Sequence, residues 1–441
     1  MWRDCTEYFM SLIDSIRNKI FSLVDRLSGG NVQKHFADIQ FLNSNYSDPK
    51  VAVKRDAYLR NLLNHVSANV PYYRELQRDA TLCDFPIVDK NIINTNFEDF
   101  KALNIKPAYT SATSGSTGTP FFIEYDLNKK NRNTADSYSF AHKTGYSIGS
   151  RIYLIRIWKE SATGKSSVRA WLQNIKKVEV DMLHNDIEEF VSILKKDKQS
   201  KTIIGHASSL DALANYMEVH NLTNKELRIR SIIPNAERCD DKTKAILRKR
   251  LGVPVVTRYS NTENGIIAQE SNDDLDYYDI NWASYYVEIL DVNSNQPAPY
   301  GEVGRIVVTD LFNYRIPFVR YDTGDLGSMI EKNGEPKLRS IEGRKVDILY
   351  DVNGRIVTPL LINILGRKFK NIDQIQFIQH DMDRYEVIIN SLKGFTHESE
   401  LIKEIKRIFG EPSEVKVTYV SEIPLLSSGK RRLTINHYKP S

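Results

Sequence analysis

The chain has 441 residues, of which 27% are charged, and its 61 basic and 56 acidic side chains leave a net charge of only +5. Such a mixed surface differs from the concentrated basic footprint of a nucleic-acid-binding protein. The cysteines Cys5, Cys83 and Cys239 are too few and too dispersed for a disulfide framework, and they favour a reducing compartment. No apolar run approaches the roughly 20 residues that span a bilayer, and no signal peptide opens the chain. We therefore expect a cytoplasmic protein.

Residues 2–27 carry apolar side chains at helical spacing, from Phe9 through Ile16 to Leu27, which predicts an amphipathic helix. Its charges are mixed in sign, whereas helices that bind anionic membranes are rich in Lys and Arg. We expect this helix to pack against the protein's own body or against a second subunit, so a homodimer is one expected arrangement.

A segment built almost entirely of Ser, Thr and Gly follows Ala112. Glycines remove the β-carbons that hold a backbone away from a ligand, and such a turn can aim several N–H groups and hydroxyls at one anion. A flexible surface loop is the alternative. The candidate phosphate-binding residues are Thr113, Ser114, Gly115, Ser116, Thr117, Gly118 and Thr119.

Between about residues 150 and 260, strand-like apolar runs alternate with helical patterns. The predicted strands cover residues 152–158, 202–205, 231–234 and 253–258, and the predicted helices cover residues 187–196, 210–217 and 242–251. Repeated βαβ units predict a doubly wound, mainly parallel sheet. Ligands of such sheets bind beyond the carboxyl ends of the strands. Two polar clusters follow the third and fourth predicted strands: Asn235-Ala236-Glu237 and Tyr259-Ser260-Asn261-Thr262-Glu263.

Beyond residue 286 the pattern changes to short β-runs separated by turns, which predicts an antiparallel β subdomain. After Gly343-Arg344, two strand patterns, the helical pattern at residues 401–409 and a last strand pattern predict a ββαβ unit. The predicted fold is therefore α/β, with a large domain at residues 1–343 and a small α+β domain at residues 344–441.

These motifs form one chemical set around a nucleotide. The hydroxyl-rich loop would hold a polyphosphate, and Glu263 would bind Mg²⁺ against it, since Mg²⁺ prefers one or two carboxylates plus substrate phosphates. Tyr259 offers a flat face to a base, the Asp325 carboxylate can accept both ribose hydroxyls, and Arg344 offers a fork to the same sugar. Lys430 is a cation near the end of the chain.

Each of these residues also has a plainer interpretation. Glu263 could be a surface or capping residue, and Asp325 could be a turn former in its Thr-Gly-Asp-Leu sequence. Lys430 precedes Arg431 and Arg432 and could belong to a solvated basic tail. If all three plainer interpretations held, the match of these residues to one nucleotide site would be a set of separate coincidences.

The motifs resemble the acyl-adenylate-forming superfamily of acyl-CoA synthetases, luciferases and peptide-synthetase adenylation domains. They resemble most closely the branch of phenylacetate–CoA ligases and CapK-type capsular polysaccharide proteins. The likeness covers most of the chain. It is carried by residues 62–65, 69–74, 85–90, 113–120, 236–237, 259–263, 310–313, 320–325, 343–344 and 428–430.

The resemblance implies a two-step reaction. A carboxylate attacks the α-phosphate of ATP to give acyl-AMP and pyrophosphate, and a thiol or amine then displaces AMP. It implies ATP and Mg²⁺ as cofactors, CoA or an amine as acceptor, and a place in capsule or O-antigen synthesis. Lys430 would serve the first step together with Glu263 and Thr262, and the small domain would then swing about its linker. Trp158, His206 and Ser208 are expected to border the pocket for the acid.

Two departures from the family pattern accompany this resemblance. The phosphate loop has no lysine after its second glycine, where Thr119-Pro120-Phe121 stands. The usual hinge Asp or Lys falls on Val346, with Asp347 after it. A rival interpretation from another class is an adenylate-binding pseudoenzyme or a non-catalytic assembly subunit, although Glu263, Asp325, Arg344 and Lys430 are all present.

Overall fold

A computed structural model describes most of the chain. The described residues are 2–77, 79–113, 121–158, 168–236, 239–272, 274–344, 348–357, 362, 365, 368–369, 371–391, 394–424 and 433–438. Within them, no helix combines the length and the apolar character that a membrane crossing requires.

The N-terminal part is helical. Its α-helices are α1 (Trp2–Leu27), α2 (Asn31–Ser44), α3 (Pro49–Asn69) and α4 (Lys90–Thr95), with short 3-10 helices at Pro71–Tyr73 and Leu82–Asp84. Helix α1 packs against the protein's own body, as one of the two expected arrangements requires: the Phe21 ring meets the Tyr138 ring edge-on at 5.5 Å, and the Arg17 guanidinium lies 5.0 Å from the Trp171 ring centroid. The homodimer stays a prediction.

A two-stranded hairpin and a parallel sheet follow. Their elements are β1 (Tyr109–Thr113), β2 (Phe121–Tyr125), α5 (Leu127–His142), β3 (Arg151–Ile155), α6 (Val168–Gln173), β4 (Ile175–Val178), α7 (Val180–Asn185), α8 (Ile187–Lys196), β5 (Lys201–His206), α9 (Ala207–Val219), α10 (Asn224–Leu227), β6 (Ile229–Asn235) and α11 (Asp241–Leu251). The parallel strands run in the order β4-β3-β5-β6, which confirms the predicted α/β class. Helices α8, α9 and α11 bury their apolar faces against this sheet.

The prediction of a strand at residues 253–258 is wrong. That segment forms only an isolated parallel bridge between Val255 and Ile232, with one hydrogen bond on either side, from Ile232 N to the Pro254 carbonyl and from Val256 N to the Ile232 carbonyl. Pro254 has no N–H to donate to a longer ladder. The sheet instead gains β4, whose residues the sequence analysis did not assign to a strand.

The predicted antiparallel region is a seven-stranded sheet in the order β10-β11-β12-β13-β9-β8-β7. Its strands are β7 (Arg258–Asn261), β8 (Gly265–Glu270), β9 (Tyr278–Ile280), β10 (Tyr285–Leu290), β11 (Val303–Asp310), β12 (Tyr321–Lys332) and β13 (Glu335–Arg344). The N-terminal segment joins it through Val88, which bridges Tyr321 at the start of β12.

The C-terminal part is an α+β unit. It contains β14 (Leu349–Tyr350), β15 (Ile356–Val357), β16 (Gln374–Gln379), β17 (Arg384–Asn390), α12 (Glu398–Phe409), β18 (Glu414–Tyr419) and β19 (Thr434–Asn436). Four of its strands form a sheet in the order β18-β17-β16-β19, and Leu401, Ile405 and Phe409 of α12 are fully buried in the same apolar cluster as Phe377 and Val387 of that sheet. The division of the chain at residues 343–344 stays a prediction.

Candidate active site

The carboxyl edge of the parallel sheet presents the first group of predicted residues. His206 ends β5 and pairs with Asn235 at the end of β6, and Ala236 follows with φ at 65°. A residue with a β-carbon pays roughly 1–2 kcal/mol for this left-handed conformation, and such strain is concentrated at functional sites. The contact of Ala236 with a nucleotide stays a prediction.

The residues predicted to border the acid pocket lie at the same edge, but they are not all neighbours. His206 and Ser208 flank the start of α9. Trp158 follows β3 and leans toward β4 on the far side: its Nε1 donates to the Val178 carbonyl at 3.1 Å, and Lys177 Nζ lies 4.4 Å from its ring centroid. The edge thus brings His206 and Ser208 together and holds Trp158 toward the outer strand.

Glu263 lies in the turn of the β7–β8 hairpin, at residues 262–264. The Asn261 side chain closes this turn by accepting a hydrogen bond from Asn264 N at 2.7 Å. Thr262 is exposed and Glu263 is partly buried. Gly265 follows with φ at 111°, a conformation that strongly favours glycine. The local sequence therefore builds a tight turn that presents the Glu263 side chain from a defined backbone.

Tyr259 and Asp325 meet directly. The Tyr259 hydroxyl donates to Asp325 Oδ2 at 2.8 Å and lies 3.4 Å from Thr323 Oγ1. Burial, followed by the Asp325 carboxylate, raises the pKa of Tyr259 well above its usual value, so the hydroxyl stays protonated and donates. The ring is only 9% exposed, and stacking on a base stays a prediction.

A bulge in β12 places Asp325. The β11–β12 register shifts between Arg305 and Val307, and Gly324 adopts a φ of 76°. Across the next ladder, Asp325 and Arg344 occupy paired positions of β12 and β13. The two residues predicted to hold a ribose are therefore brought together at the level of the backbone, since bulges re-aim side chains next to active sites.

Carboxylates gather around Tyr321, next to the Glu263 turn. Burial raises the pKa of Tyr321 well above its usual value, and four carboxylates raise it further: Glu263, Asp325, Asp322 and Asp89. Asp322 pairs with Arg305 at 2.9 Å, and Asp89 caps α4 by accepting from Ile92 N at 2.8 Å. Asp322 and Asp89 thus make structural contacts, and Asp325 accepts from Tyr259. Glu263 stays the metal candidate that the sequence predicts.

The donor set suits a shared metal better than an all-protein cage. Across the described part of the chain, no three acidic, histidine or cysteine side chains converge as metal ligands. Mg²⁺ commonly takes one or two carboxylates and completes its shell with substrate phosphates and water. A single carboxylate on a tight turn, in an acidic neighbourhood, fits that mode of binding.

Known proteins are similar to this chain in sequence. Residues 349–437 match the family model of the CapK C-terminal domain. The phenylacetate–coenzyme A ligase of Pseudomonas putida is 25% identical over 383 residues, which cover 82% of this chain and 86% of that ligase. These matches support the resemblance to the acyl-adenylate-forming superfamily, and within it to the phenylacetate–CoA ligases and CapK-type proteins.

Solved structures of a CoA ligase share the fold. A 2-hydroxyisobutyryl-CoA ligase in the postadenylation state, in complex with R3-HIB-AMP, matches with a TM-score of 0.68 at 17% identity, over 88% of this chain and 89% of that chain. The same ligase in its thioesterification state, with 2-HIB-AMP and CoA, matches with a TM-score of 0.52 at 17% identity, over 88% of this chain and 91% of that one.

Several predicted site residues lie outside the described residues: Ser114, Gly115, Ser116, Thr117, Gly118, Thr119, Glu237, Val346 and Lys430. Thr113 and Arg344 are described as strand residues but not by their side chains. Their roles stay predictions.

The sequence analysis missed a further group that contacts the site, namely Tyr125, Lys129 and Tyr285. The Tyr125 hydroxyl bonds to the carbonyl of Thr262 and lies 3.1 Å from that of Glu263. A tyrosine in a strand pattern is expected to be a core residue. Tyr125 is also 137 and 138 residues away from its partners Thr262 and Glu263. No local signal could have identified them.

Proposed function

We propose that this chain is an AMP-forming ligase that activates a carboxylic acid as its adenylate and transfers the acyl group to CoA or to an amine. The observation that carries the proposal is the hydrogen bond of 2.8 Å between Tyr259 and Asp325, which are 66 residues apart. It joins β7, the strand that leads into the Glu263 turn, to Asp325, which pairs with Arg344 across β12 and β13. Two motifs that would serve different parts of one nucleotide thereby share one site.

The residues divide the nucleotide between them. The loop at residues 113–119 grips the phosphates through backbone N–H groups and hydroxyls, and Asp325 and Arg344 hold the ribose. The segment from Ala236 to Glu237 and the β7 residues Tyr259, Ser260 and Asn261 border the base. Glu263, beside Thr262, holds Mg²⁺, which when bound neutralises phosphate charge in the first step.

The carboxylic acid needs activation because hydroxide is a poor leaving group, whereas AMP is a good one. Catalysis is then mainly positioning and charge neutralisation. Lys430 would serve the first step, between the acid's carboxylate and the α-phosphate. The small domain would then turn about its linker, withdraw Lys430 and present another face to the acceptor. The postadenylation and thioesterification states of the 2-hydroxyisobutyryl-CoA ligase support such a change by analogy.

Two acceptor classes are candidates. The similarity to phenylacetate–coenzyme A ligases favours CoA. The second candidate is an amine, such as an amino acid or amino sugar, which polysaccharide synthesis would need. The acid enters at the carboxyl edge of the parallel sheet, where His206 and Ser208 line the pocket and Trp158 borders it.

A product screen tests the proposal. Purified protein is incubated with ATP, Mg²⁺ and pools of carboxylic acids, together with CoA, amino acids or amino sugars, and the products are identified by mass spectrometry. We expect AMP and one acyl-thioester or amide, with Glu263→Gln as the inactive control. ATP binding without any acid-dependent AMP, in all pools, would favour a nucleotide-binding pseudoenzyme.

A further inference from the structure

Two buried tyrosines hold the Glu263 turn from two different strands. The Tyr125 hydroxyl, at the end of β2, meets the carbonyls of Thr262 and Glu263, the latter at 3.1 Å. The Tyr285 hydroxyl, at the start of β10, donates to the carbonyl of Asn264. Three consecutive carbonyls of this turn are therefore bound by two side chains that are 5% and 0% exposed.

Tyr285 is itself held by a buried ion pair. Lys129 Nζ donates to the Tyr285 hydroxyl at 3.0 Å and lies 2.6 Å from Asp310 Oδ2, with both side chains fully buried. An ammonium donating to a hydroxyl strengthens that hydroxyl as a donor. The chain of contacts therefore runs from Asp310 through Lys129 and Tyr285 to the backbone of Asn264.

Tyr125 ties this turn to the β1–β2 hairpin. Strand β2 runs from Phe121 to Tyr125 and pairs with β1 along its whole length, from Thr113–Phe121 to Tyr109–Tyr125. The Tyr125 hydroxyl therefore holds the turn from the last position of a paired strand.

We propose that Tyr125 and Tyr285 are positioning residues that fix the Glu263 turn against strands β2 and β10, so that the Glu263 carboxylate can meet Mg²⁺ bound with ATP. This inference rests on the proposed function. It assigns the two hydroxyls no contact with substrate, because they act through the backbone of residues 262–264. Removing either hydroxyl should reduce the gain in ATP affinity that Mg²⁺ gives. It should change the ATP affinity measured without Mg²⁺ less.

The test measures the dissociation constant of ATP by calorimetry, once in EDTA and once in Mg²⁺. The ratio that matters is the constant in EDTA divided by the constant in Mg²⁺. Tyr125→Phe keeps the ring and removes only the hydroxyl. The matched control is Tyr153→Phe, which removes a hydroxyl of a 2% exposed tyrosine that bonds to Asp197 at 2.9 Å, before the amino end of β5. Losing one hydrogen bond costs about 1 kcal/mol, so we expect the ratio to fall about fivefold in Tyr125→Phe and to stay at the wild-type value in Tyr153→Phe.

Thermal unfolding of each variant separates positioning from general damage. We expect Tyr125→Phe and Tyr153→Phe to lose similar thermal stability, while only Tyr125→Phe loses Mg²⁺ coupling. If Tyr125→Phe does not fold, Tyr285→Phe replaces it with the same expected fall. A wild-type ratio retained in the folded tyrosine variants would overturn the positioning role alone. A ratio of one in the wild-type protein would overturn the Glu263 metal role, and the inference with it.

Discussion

The pairing of Tyr259 with Asp325 leads to a sharp prediction about nucleotide binding. Tyr259→Phe keeps the ring in its apolar cluster, where Ile267, Trp282 and Tyr285 also lie, and removes only the donor to the carboxylate. Asp325 is partly exposed, so water can replace the lost donor. The protein should therefore remain folded, with a carboxylate that is less firmly oriented.

The magnitude follows from the type of hydrogen bond. A bond to a charged group contributes about 1.5–3 kcal/mol, and partial exposure of Asp325 favours the lower end. If that contribution orients Asp325 for the ribose hydroxyls, its loss corresponds to about a tenfold weaker affinity for AMP, at about 1.4 kcal/mol per factor of ten.

A double-mutant cycle measures this coupling. AMP affinity is determined by calorimetry for the wild type, Tyr259→Phe, Asp325→Asn and the double variant. We expect the two changes to be non-additive by about 1 kcal/mol or more, since residues in contact share their energy. Tyr385→Phe, which removes a buried hydroxyl bonded to the Tyr350 carbonyl at 2.6 Å, is the control and should leave AMP affinity unchanged. Additive losses would refute the assignment of Tyr259 as the residue that orients Asp325.

Three further predictions concern single positions. Lys430→Ala should abolish adenylate formation yet still process a supplied acyl-adenylate with acceptor, and equal loss of both half-reactions would contradict a role confined to the first. Gly265→Ala should lower the free energy of unfolding in urea by more than about 2 kcal/mol, because its β-carbon would lie 2.8 Å from Asn133 Oδ1 and 3.0 Å from the Tyr285 hydroxyl; unchanged stability would contradict the tight turn. Burial, aided by a neighbouring guanidinium, lowers the pKa of His35 to about 4 from 6.5, so the folded state binds this proton more weakly and stability falls as pH drops from 6.5 toward 4. His35→Gln should reduce that loss of stability by at most about 3 kcal/mol, and by less where solvent screens the charge. An unchanged pH profile of stability would refute His35 as the cause of the loss.

Strong periodicity made much of the fold predictable. The helix predicted at residues 187–196 has those bounds in the structure, because Phe190, Val191 and Leu194 form a buried apolar face. Strand β4 reads Ile-Lys-Lys-Val and buries only Val178, so its sequence carries no strand signal. Its pairing with β3 depends on the rest of the sheet.

The site was predictable only where its residues stand in compact motifs. Residues 259–263 and 320–325 are short polar segments at the ends or bends of strands, and general rules place ligands there. Lys129 and Asp310 form a fully buried ion pair between positions that are far apart in sequence. No local pattern distinguishes that lysine from the solvated lysines around it, so its contribution becomes visible only in three dimensions.

Acid-dependent exchange of pyrophosphate into ATP tests the central claim most directly, because exchange requires reversible formation of an adenylate. We predict exchange that needs both Mg²⁺ and a carboxylic acid from the pool. It should fall by orders of magnitude in folded Glu263→Gln, since one charged stabiliser is worth a few kcal/mol at about 1.4 kcal/mol per tenfold in rate. Exchange at the wild-type rate in that variant, or no exchange with any acid by a protein that binds ATP, would contradict the account.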